Sequence, residues 1–191
     1  MIRPLAISIF CATLGGTALA KQDAIEFDLG GNFFNGSVAT DLGTFSAGAQ
    51  HAGADILAIE WTDLSLITFN NVGLPYYGSE AMIGITARDD AGDEASFLFF
   101  PFPNANYQGT PEDPITESGT QSLDVTAFGL NLDANGAIDA MLMAAWDDQT
   151  GQDAGFWQSG RVRVIFQQIP APGALGLLGL AASCSGRRRR R

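Results

Sequence analysis

The chain has 191 residues, with 21 acidic side chains, ten basic ones and two cysteines. Between residues 21 and 168 the imbalance is larger, because all 21 acids stand there beside four bases, a net charge of −17. Such a charge repels phosphate backbones and anionic lipid surfaces, so we expect no nucleic-acid partner. Cys11 and Cys184 lie outside that stretch, which therefore forms no internal disulfide and no thiolate metal site.

The first 20 residues have the organisation of a secretory signal peptide. A basic residue precedes an apolar run, and Ala18 and Ala20 supply the small residues of a cleavage site. We expect cleavage after Ala20, so that Lys21 is the first residue of the mature protein. The alternative is a buried N-terminal helix, which would have to contain two consecutive glycines.

The stretch from residue 21 to residue 168 predicts one all-β domain. Short alternating or apolar segments are separated by turns rich in Gly, Asn and Asp. The predicted strands cover residues 24–29, 37–45, 55–61, 65–69, 81–88, 95–102, 121–132, 137–146 and 156–167. Residues 104–119 are predicted to be a long surface loop. About eight to ten closely spaced strands favour an antiparallel β-sandwich of jelly-roll or immunoglobulin-like type.

Two pairs of these segments are predicted to form hairpins. Residues 81–88 and 95–102 flank a highly acidic turn, and residues 121–132 and 137–146 flank Asn135-Gly136. The apolar FLFFPF at residues 97–102 predicts either a strand covered on both sides or one whose outer face meets a partner. The face of segment 55–61 that is predicted to point inward carries Leu57, Ile59 and Trp61.

We find no catalytic constellation in the sequence. The single histidine, His51, lies in a stretch rich in Gly and Ala and is expected to be a solvated loop residue. No segment near it is typical of a nucleophile elbow. Paired carboxylates are the remaining route to glycan hydrolysis, and the sequence does not place two of them across a cleft. We therefore predict a protein without enzymatic activity.

Acidic turns make calcium the candidate cofactor. Ca²⁺ accepts about six to eight oxygen ligands in flexible geometry, and loop carboxylates a few residues apart can supply them. Residues 147–153 are the favoured loop, and residues 131–139 have an EF-hand-like spacing that lacks the final acid. The candidate ligands are Asp147, Asp148 and Asp153; Asp89, Asp90 and Asp93; and Asn131, Asp133, Asn135 and Asp139. The alternative is that all three are plain solvated turns.

Aromatic residues in loops indicate a second kind of site. A sugar-binding face on a β-sandwich presents exposed rings that stack on the C–H faces of a pyranose, with polar groups beside them. Tyr76 and Tyr77 lie in a predicted loop, and Trp157 follows an acidic turn. These three are the candidate ligand-binding residues, whereas Trp61 and Trp146 are assigned to the core.

The last 23 residues, 169–191, have three parts in a fixed order. The motif Pro170-Ala171-Pro172-Gly173 is kept extended by its prolines, and residues 174–186 are predicted to form a short hydrophobic helix. That helix is about 20 Å long against a hydrocarbon core of about 30 Å, which argues against a permanent membrane span. The chain then ends in a stop-transfer cluster, Arg187, Arg188, Arg189, Arg190 and Arg191.

This tail resembles the PEP-CTERM sorting signal of Gram-negative bacteria, with Ala171 where the family has Glu. Together with the leader, the resemblance implies export through the Sec translocon and processing by signal peptidase and an exosortase-like enzyme. It also implies transient inner-membrane association, then display at the cell surface or release, and a link to exopolysaccharide or biofilm. We therefore expect an exported surface or extracellular-matrix protein with a structural or adhesive role. The alternatives are a carbohydrate-binding module and a secreted glycan hydrolase with paired carboxylates.

Overall fold

The structure, a computed structural model, describes residues 21–36, 38–71, 73–146 and 151–167. In these residues it is an antiparallel β-sandwich with two main sheets, which confirms the predicted fold class. Its strands are β1 Gln22–Asp28, β2 Asn32–Asn35, β3 Thr40–Ser46, β4 Ile56–Thr68, β5 Asn70–Asn71, β6 Leu74–Pro75, β7 Ala81–Arg88, β8 Glu94–Phe99, β9 Ile115–Asp124, β10 Ala137–Ala144 and β11 Asp153–Gln167. Short 3-10 helices cover Ala49–His51, Gly78–Glu80 and Thr126–Phe128. No helix within the described ranges is long and apolar enough to cross a membrane.

The 15-residue strand β11 lies in the middle of a five-stranded sheet. It pairs with β4 on one side and with β1 and β2 on the other, and β9 pairs with the far side of β4. Its side chains alternate, so that Trp157, Val162, Val164 and Phe166 are buried while Arg161 is exposed. That is the pattern of a strand with one face in the core and one in water.

The second sheet has four strands in the order β3, β10, β7, β8. Strand β10 contains many good helix formers, yet it is extended, because it pairs with β3 on one side and β7 on the other. Ile138, Ala140, Leu142 and Ala144 of β10 are buried against the first sheet. The strand predicted at residues 137–146 is therefore confirmed, although it ends at Ala144.

Strand β4 is continuous where the sequence predicted two strands. It passes through a bulge at Asp63, whose φ is 51°. A second irregularity opposite Phe166 shifts the alternation at its start, so that Ile56 is buried and Leu57 is not. The prediction that Leu57 points inward is therefore wrong, because a bulge reverses the faces of all residues beyond it. Ile59 does lie in the core.

The hairpin predicted around Asn135-Gly136 does not form. Strand β9 ends at Asp124 and pairs with β4, whereas β10 belongs to the other sheet. The turn itself is present, since the Gly136 N–H donates to the Asp133 carbonyl at 3.0 Å. Local turn chemistry thus fixes the turn, and burial of apolar faces decides which strands pair. The predicted loop at residues 104–119 is also too long, because β9 begins at Ile115.

The hairpin predicted across the acidic turn is confirmed, since β7 pairs with β8 from Arg88 and Glu94 onward. Strand β8 ends the four-stranded sheet in the described part of the chain. Its inner side chains reach the core, but Leu98 and the following Phe100 are exposed on the outer side. The prediction of a strand covered on both faces is therefore wrong.

The described chain begins and ends at neighbouring positions. Gln22 is the register partner of Gln167, and the Gln167 N–H donates to the Asp55 carbonyl at 2.9 Å. The predicted signal peptide, residues 1–20, and the predicted sorting tail, residues 169–191, lie outside the described residues. Both segments are therefore attached at the same end of the five-stranded sheet.

Replacement of Gly136 by alanine should destabilise the domain more than replacement of Gly92. Both glycines have positive φ, 67° and 84°, so each alanine costs about 1–2 kcal/mol through its backbone conformation alone. A β-carbon at Gly136 would also lie 2.1 Å from the Gly48 carbonyl oxygen, whereas at Gly92 it meets nothing within 4 Å. In urea unfolding, we expect Gly136→Ala to lower the free energy of unfolding by about 1–3 kcal/mol more than Gly92→Ala does. Equal losses would contradict the packing described for this turn.

Candidate functional site

Two of the acidic turns are held closed by their own first aspartate. Asp89 Oδ1 accepts hydrogen bonds from the backbone N–H groups two and four residues later, each at 2.9 Å. Asp133 Oδ1 does the same, at 2.8 Å in both bonds. Such side-chain acceptors satisfy turn donors that no strand partner reaches. One oxygen of each carboxylate is therefore already used in holding the backbone.

These two turns lie side by side and form the walls of an acidic cleft. Asn131 joins them, because its Nδ2 donates to Asp90 Oδ1 at 3.2 Å and its backbone N–H donates to the Arg88 carbonyl at 2.7 Å. The cleft has a volume of about 880 Å³. Its polar lining includes Arg88, Asp89, Asp90, Asn131, Asp133 and Asn135. The structure thus unites two candidate loops that the sequence could only treat separately.

The predicted calcium ligands that the structure describes do not all line one site. No group of three or more acidic, cysteine or histidine side chains that could hold a metal ion occurs among the residues described. Asp139 is exposed on β10, does not line the cleft, and accepts a hydrogen bond from the Thr44 hydroxyl. Asp153 begins β11, while Asp147 and Asp148 lie outside the described residues. The EF-hand-like arrangement of residues 131–139 stays a prediction, since Asp133 and Asp139 line one small pocket while Asn131 and Asn135 line the cleft.

Asp124 shows the same local use of an acid at the end of β9. Its Oδ1 accepts hydrogen bonds from the Thr126 backbone N–H at 2.9 Å and from the Thr126 hydroxyl at 2.7 Å. These two bonds hold the pKa of Asp124 below its usual range, because they favour the ionised carboxylate. The acid is therefore part of the turn that starts the last 3-10 helix.

Asp133→Ala should lower the free energy of unfolding by about 1–2 kcal/mol, whether calcium or a chelator is present. The reason is that the carboxylate caps two backbone donors in the structure, at 2.8 Å each. Asp90→Ala is the matched control, since among the described residues the Asp90 Oδ1 accepts only from the Asn131 side chain, and the substitution should cost less. The measurement is urea unfolding of each variant in both buffers. A loss that appears only with calcium would instead indicate a metal ligand.

The aromatic residues predicted to bind a sugar are mostly buried. Tyr76 and Trp157 lie in the core, and the Trp157 ring packs against Phe34 and Phe102 with centroids 6.3 and 5.9 Å apart. Neither can stack on a ligand, so both predictions are wrong. The reason for Trp157 is that strand β11 begins before it and turns its ring inward. Tyr77 is exposed.

Two further predictions about single side chains are corrected. Trp146, assigned to the core, is exposed and packs against Tyr76 with ring centroids 5.7 Å apart. His51, expected in solvent, is 7% exposed and directs an edge contact at Phe166, 5.1 Å between centroids. Its Nδ1 has no hydrogen-bond partner among the described residues. The His51 ring therefore packs in the core, where a substrate does not reach it.

The outer face of the five-stranded sheet carries an array of paired charges. Arg161 Nε bonds Asp28 Oδ1 at 3.2 Å, and both side chains are more than half exposed. Arg163 bonds one carboxylate on each side, Glu26 Oε1 and Glu60 Oε2, both at 2.8 Å. A groove of about 500 Å³ is lined by four of these residues, and Glu60 lines a neighbouring pocket together with Glu26 and Arg163. We call it the ion-pair groove and define it by Glu26, Asp28, Glu60, Thr62, Arg161 and Arg163.

Irregular backbone on two neighbouring strands shapes the middle of this groove. Asp63 has φ of 51°, the one positive value among the described residues other than glycine. Its carboxylate accepts from the Gly119 N–H and its carbonyl from the Ser159 hydroxyl, which ties β9 and β11 to β4. On β11 the pairing shifts around Gly160. Bulges of this kind bend a sheet and re-aim side chains, and they are common beside binding sites.

Three phenylalanine rings lie on the same outer face, farther along β11. Phe33 of β2 is the register partner of Phe156, and their ring centroids are 4.8 Å apart. Phe69 is 6.3 Å from Phe33. Phe33 is 44% exposed, because its neighbour Phe34 takes the buried position. We call Phe33, Phe69 and Phe156 the phenylalanine patch.

Sequence reasoning missed this face for identifiable reasons. Strand β2 was not predicted, because the segment NFFN follows two glycines and is only four residues long. The paired charges had a visible signal, since the sequence RVRV on β11 and EFD on β1 both alternate. What the sequence lacks is the register that sets Glu26 opposite Arg163 and Asp28 opposite Arg161. An alternation search that also matched opposite charges on two strands could have found the groove.

Comparisons with known proteins add little to these observations. No protein-family model matches the sequence, and a comparison with curated proteins finds no match. Among solved structures the chain is similar to one from Tomato Aspermy Virus, at 13% identity and a TM-score of 0.31, over 79% of this chain and 80% of that one. It is also similar to one from Cocksfoot mottle virus, at 13% identity and a TM-score of 0.26, over 91% and 97%. Scores this low carry no conclusion about function.

Proposed function

We propose that the chain is an exported bacterial surface or matrix protein with a structural or adhesive role. The observation that carries the proposal is the pair of terminal segments, a leader that ends at Ala20 and a tail with a Pro-Ala-Pro-Gly motif, an apolar run and five arginines. Their order and composition support export by the Sec translocon and processing by signal peptidase and an exosortase-like enzyme. Only the domain between them persists as the working protein.

The position of the two ends supports this route. Because Gln22 and Gln167 are register partners, the leader and the tail join the domain at one end of the five-stranded sheet. Tethered there, the domain would hold the phenylalanine patch away from the membrane, since Phe156 lies 11 residues, or about 36 Å of strand, from Gln167. The outer face of that sheet would then be open to the surroundings of the cell.

The chemistry of the domain suits a passive role outside the cell. Its charge of −17 keeps it soluble, and the absence of cysteine between residues 21 and 168 leaves its stability to core packing alone. The proposal assigns it no catalytic step. In support, His51 is buried, Asp89 and Asp133 of the acidic turns accept backbone donors, and Asp28 and Glu26 of the ion-pair groove are paired with arginine.

Protein recovered from outside the producing cell should begin at Lys21 and lack Arg187 to Arg191. Intact-mass measurement of that material tests both ends at once. A variant with the five arginines replaced by glutamine should stay unprocessed, because the tail no longer stops at the membrane. Arg88→Gln is the matched control, since it removes an exposed basic residue of the domain, and it should be processed normally. External protein that still carries the arginine terminus would overturn the proposal.

A further inference from the structure

The ion-pair groove and the phenylalanine patch lie on one continuous face. Both are on the outer side of the five-stranded sheet, and β11 runs through both. Between them, Ser65 Oγ donates to Gln158 Oε1 at 2.8 Å, so the intervening surface is polar. Phe156 and Arg161 are five residues apart on this strand, a distance of about 16 Å. We propose that this face binds a neutral polysaccharide chain, and the inference rests on the proposed surface role.

The groove offers donors and acceptors in alternation across three strands. A guanidinium group has five N–H donors, and Arg161 uses one of them on Asp28 while Arg163 uses two on Glu26 and Glu60. Both arginines line the groove together with the carboxylates of Glu26 and Asp28, so donors and acceptors lie side by side there. Thr62 and Thr120 add hydroxyl groups that bond each other at 3.0 Å. An array of this kind matches the paired hydroxyl groups of a sugar, each of which both donates and accepts.

The charge balance selects a neutral chain over an acidic one. Three carboxylates surround the two arginines of the groove, so no unpaired positive charge is available for an anionic ligand. The domain as a whole adds a strongly negative field, which repels anions on approach. A chain of uncharged sugars meets neither obstacle.

The phenylalanine patch supplies the apolar part of the face. Phe33 leaves 44% of its surface exposed, and its contacts with Phe156 and Phe69 fix the ring in place. Rings held in this way stack on the C–H faces of sugars without much loss of side-chain freedom. The ion pairs orient the Arg161 and Arg163 side chains on the same face. The face is therefore largely formed before a ligand arrives.

The test is affinity electrophoresis of the protein, in the form in which the producing cells export it, through gels with soluble polysaccharides. Hydroxyethyl cellulose, dextran and galactomannan are the neutral probes, and polygalacturonate is the acidic one. We expect retardation by at least one neutral probe and none by the acidic probe. Retardation by polygalacturonate alone, or by no probe, would overturn the inference.

Two pairs of variants locate the binding. Phe33→Ala should weaken it about tenfold, whereas Phe128→Ala should not, although Phe128 is 58% exposed and also packs on a neighbouring ring. Arg161→Ala should weaken binding about tenfold as well, because it removes guanidinium donors from the groove. Its side chain is exposed, so the substitution leaves the core intact. Arg88→Ala, in the acidic cleft, should leave binding unchanged. Equal effects within either pair would overturn the assignment of this face.

The outcomes separate this inference from the proposal on which it rests. Correctly processed external protein that ignores every probe would overturn the inference and leave the export route standing. Protein that keeps its arginine terminus would overturn the export route, whereas its retardation by a neutral probe, lost in Phe33→Ala and Arg161→Ala, would still support the binding face.

Discussion

Strand β11 is the element on which the rest of the domain depends. It pairs with β4 along most of its length and with β1 and β2 on its other side, so three strands are placed by one. Its inner face buries Trp157, Val162, Val164 and Phe166 against the four-stranded sheet. Burial of each valine or phenylalanine side chain contributes about 1.5–3 kcal/mol to the free energy of unfolding. Because this domain has no disulfide, such burial must outweigh the conformational entropy that the chain loses on folding.

The same strand also determines what the domain shows to its surroundings. Side chains alternate along a strand, and the shifts on either side of Ser159 change which positions face outward, so the outward residues are Phe156 and Gln158 before the shifts and Arg161 and Arg163 after them. The outer partners follow from the register with β1 and β4. The acidic turns lie elsewhere and have a different task, because their first aspartates hold the backbone. Thus the structural acids and the surface array are distinct, although both contribute to the high negative charge.

Sequence alone predicted the sandwich, most strands and the hairpin of β7 and β8, because these follow from local alternation and turn chemistry. It did not predict effects that depend on register. The bulges that bury Ile56 in place of Leu57, and the pairing of β9 with β4, are decided by how two distant segments fit. Of the three aromatic candidates, Tyr76 and Trp157 are buried and Tyr77 is exposed. Trp157 lies within the predicted strand 156–167, but the sequence did not show that its ring faces inward, and Phe33 lies in a four-residue strand that was not predicted.

Native-state hydrogen exchange is the most direct test of the role given to β11. If this strand organises the domain, the amides of Val162 and Val164 should exchange only through global unfolding, together with those of Ile25 and Ile59 on its partner strands. Their opening free energy should then equal the free energy of unfolding measured with urea. Exchange of these amides at a lower free energy than those of Ile83 and Leu142 in the other sheet would contradict the account.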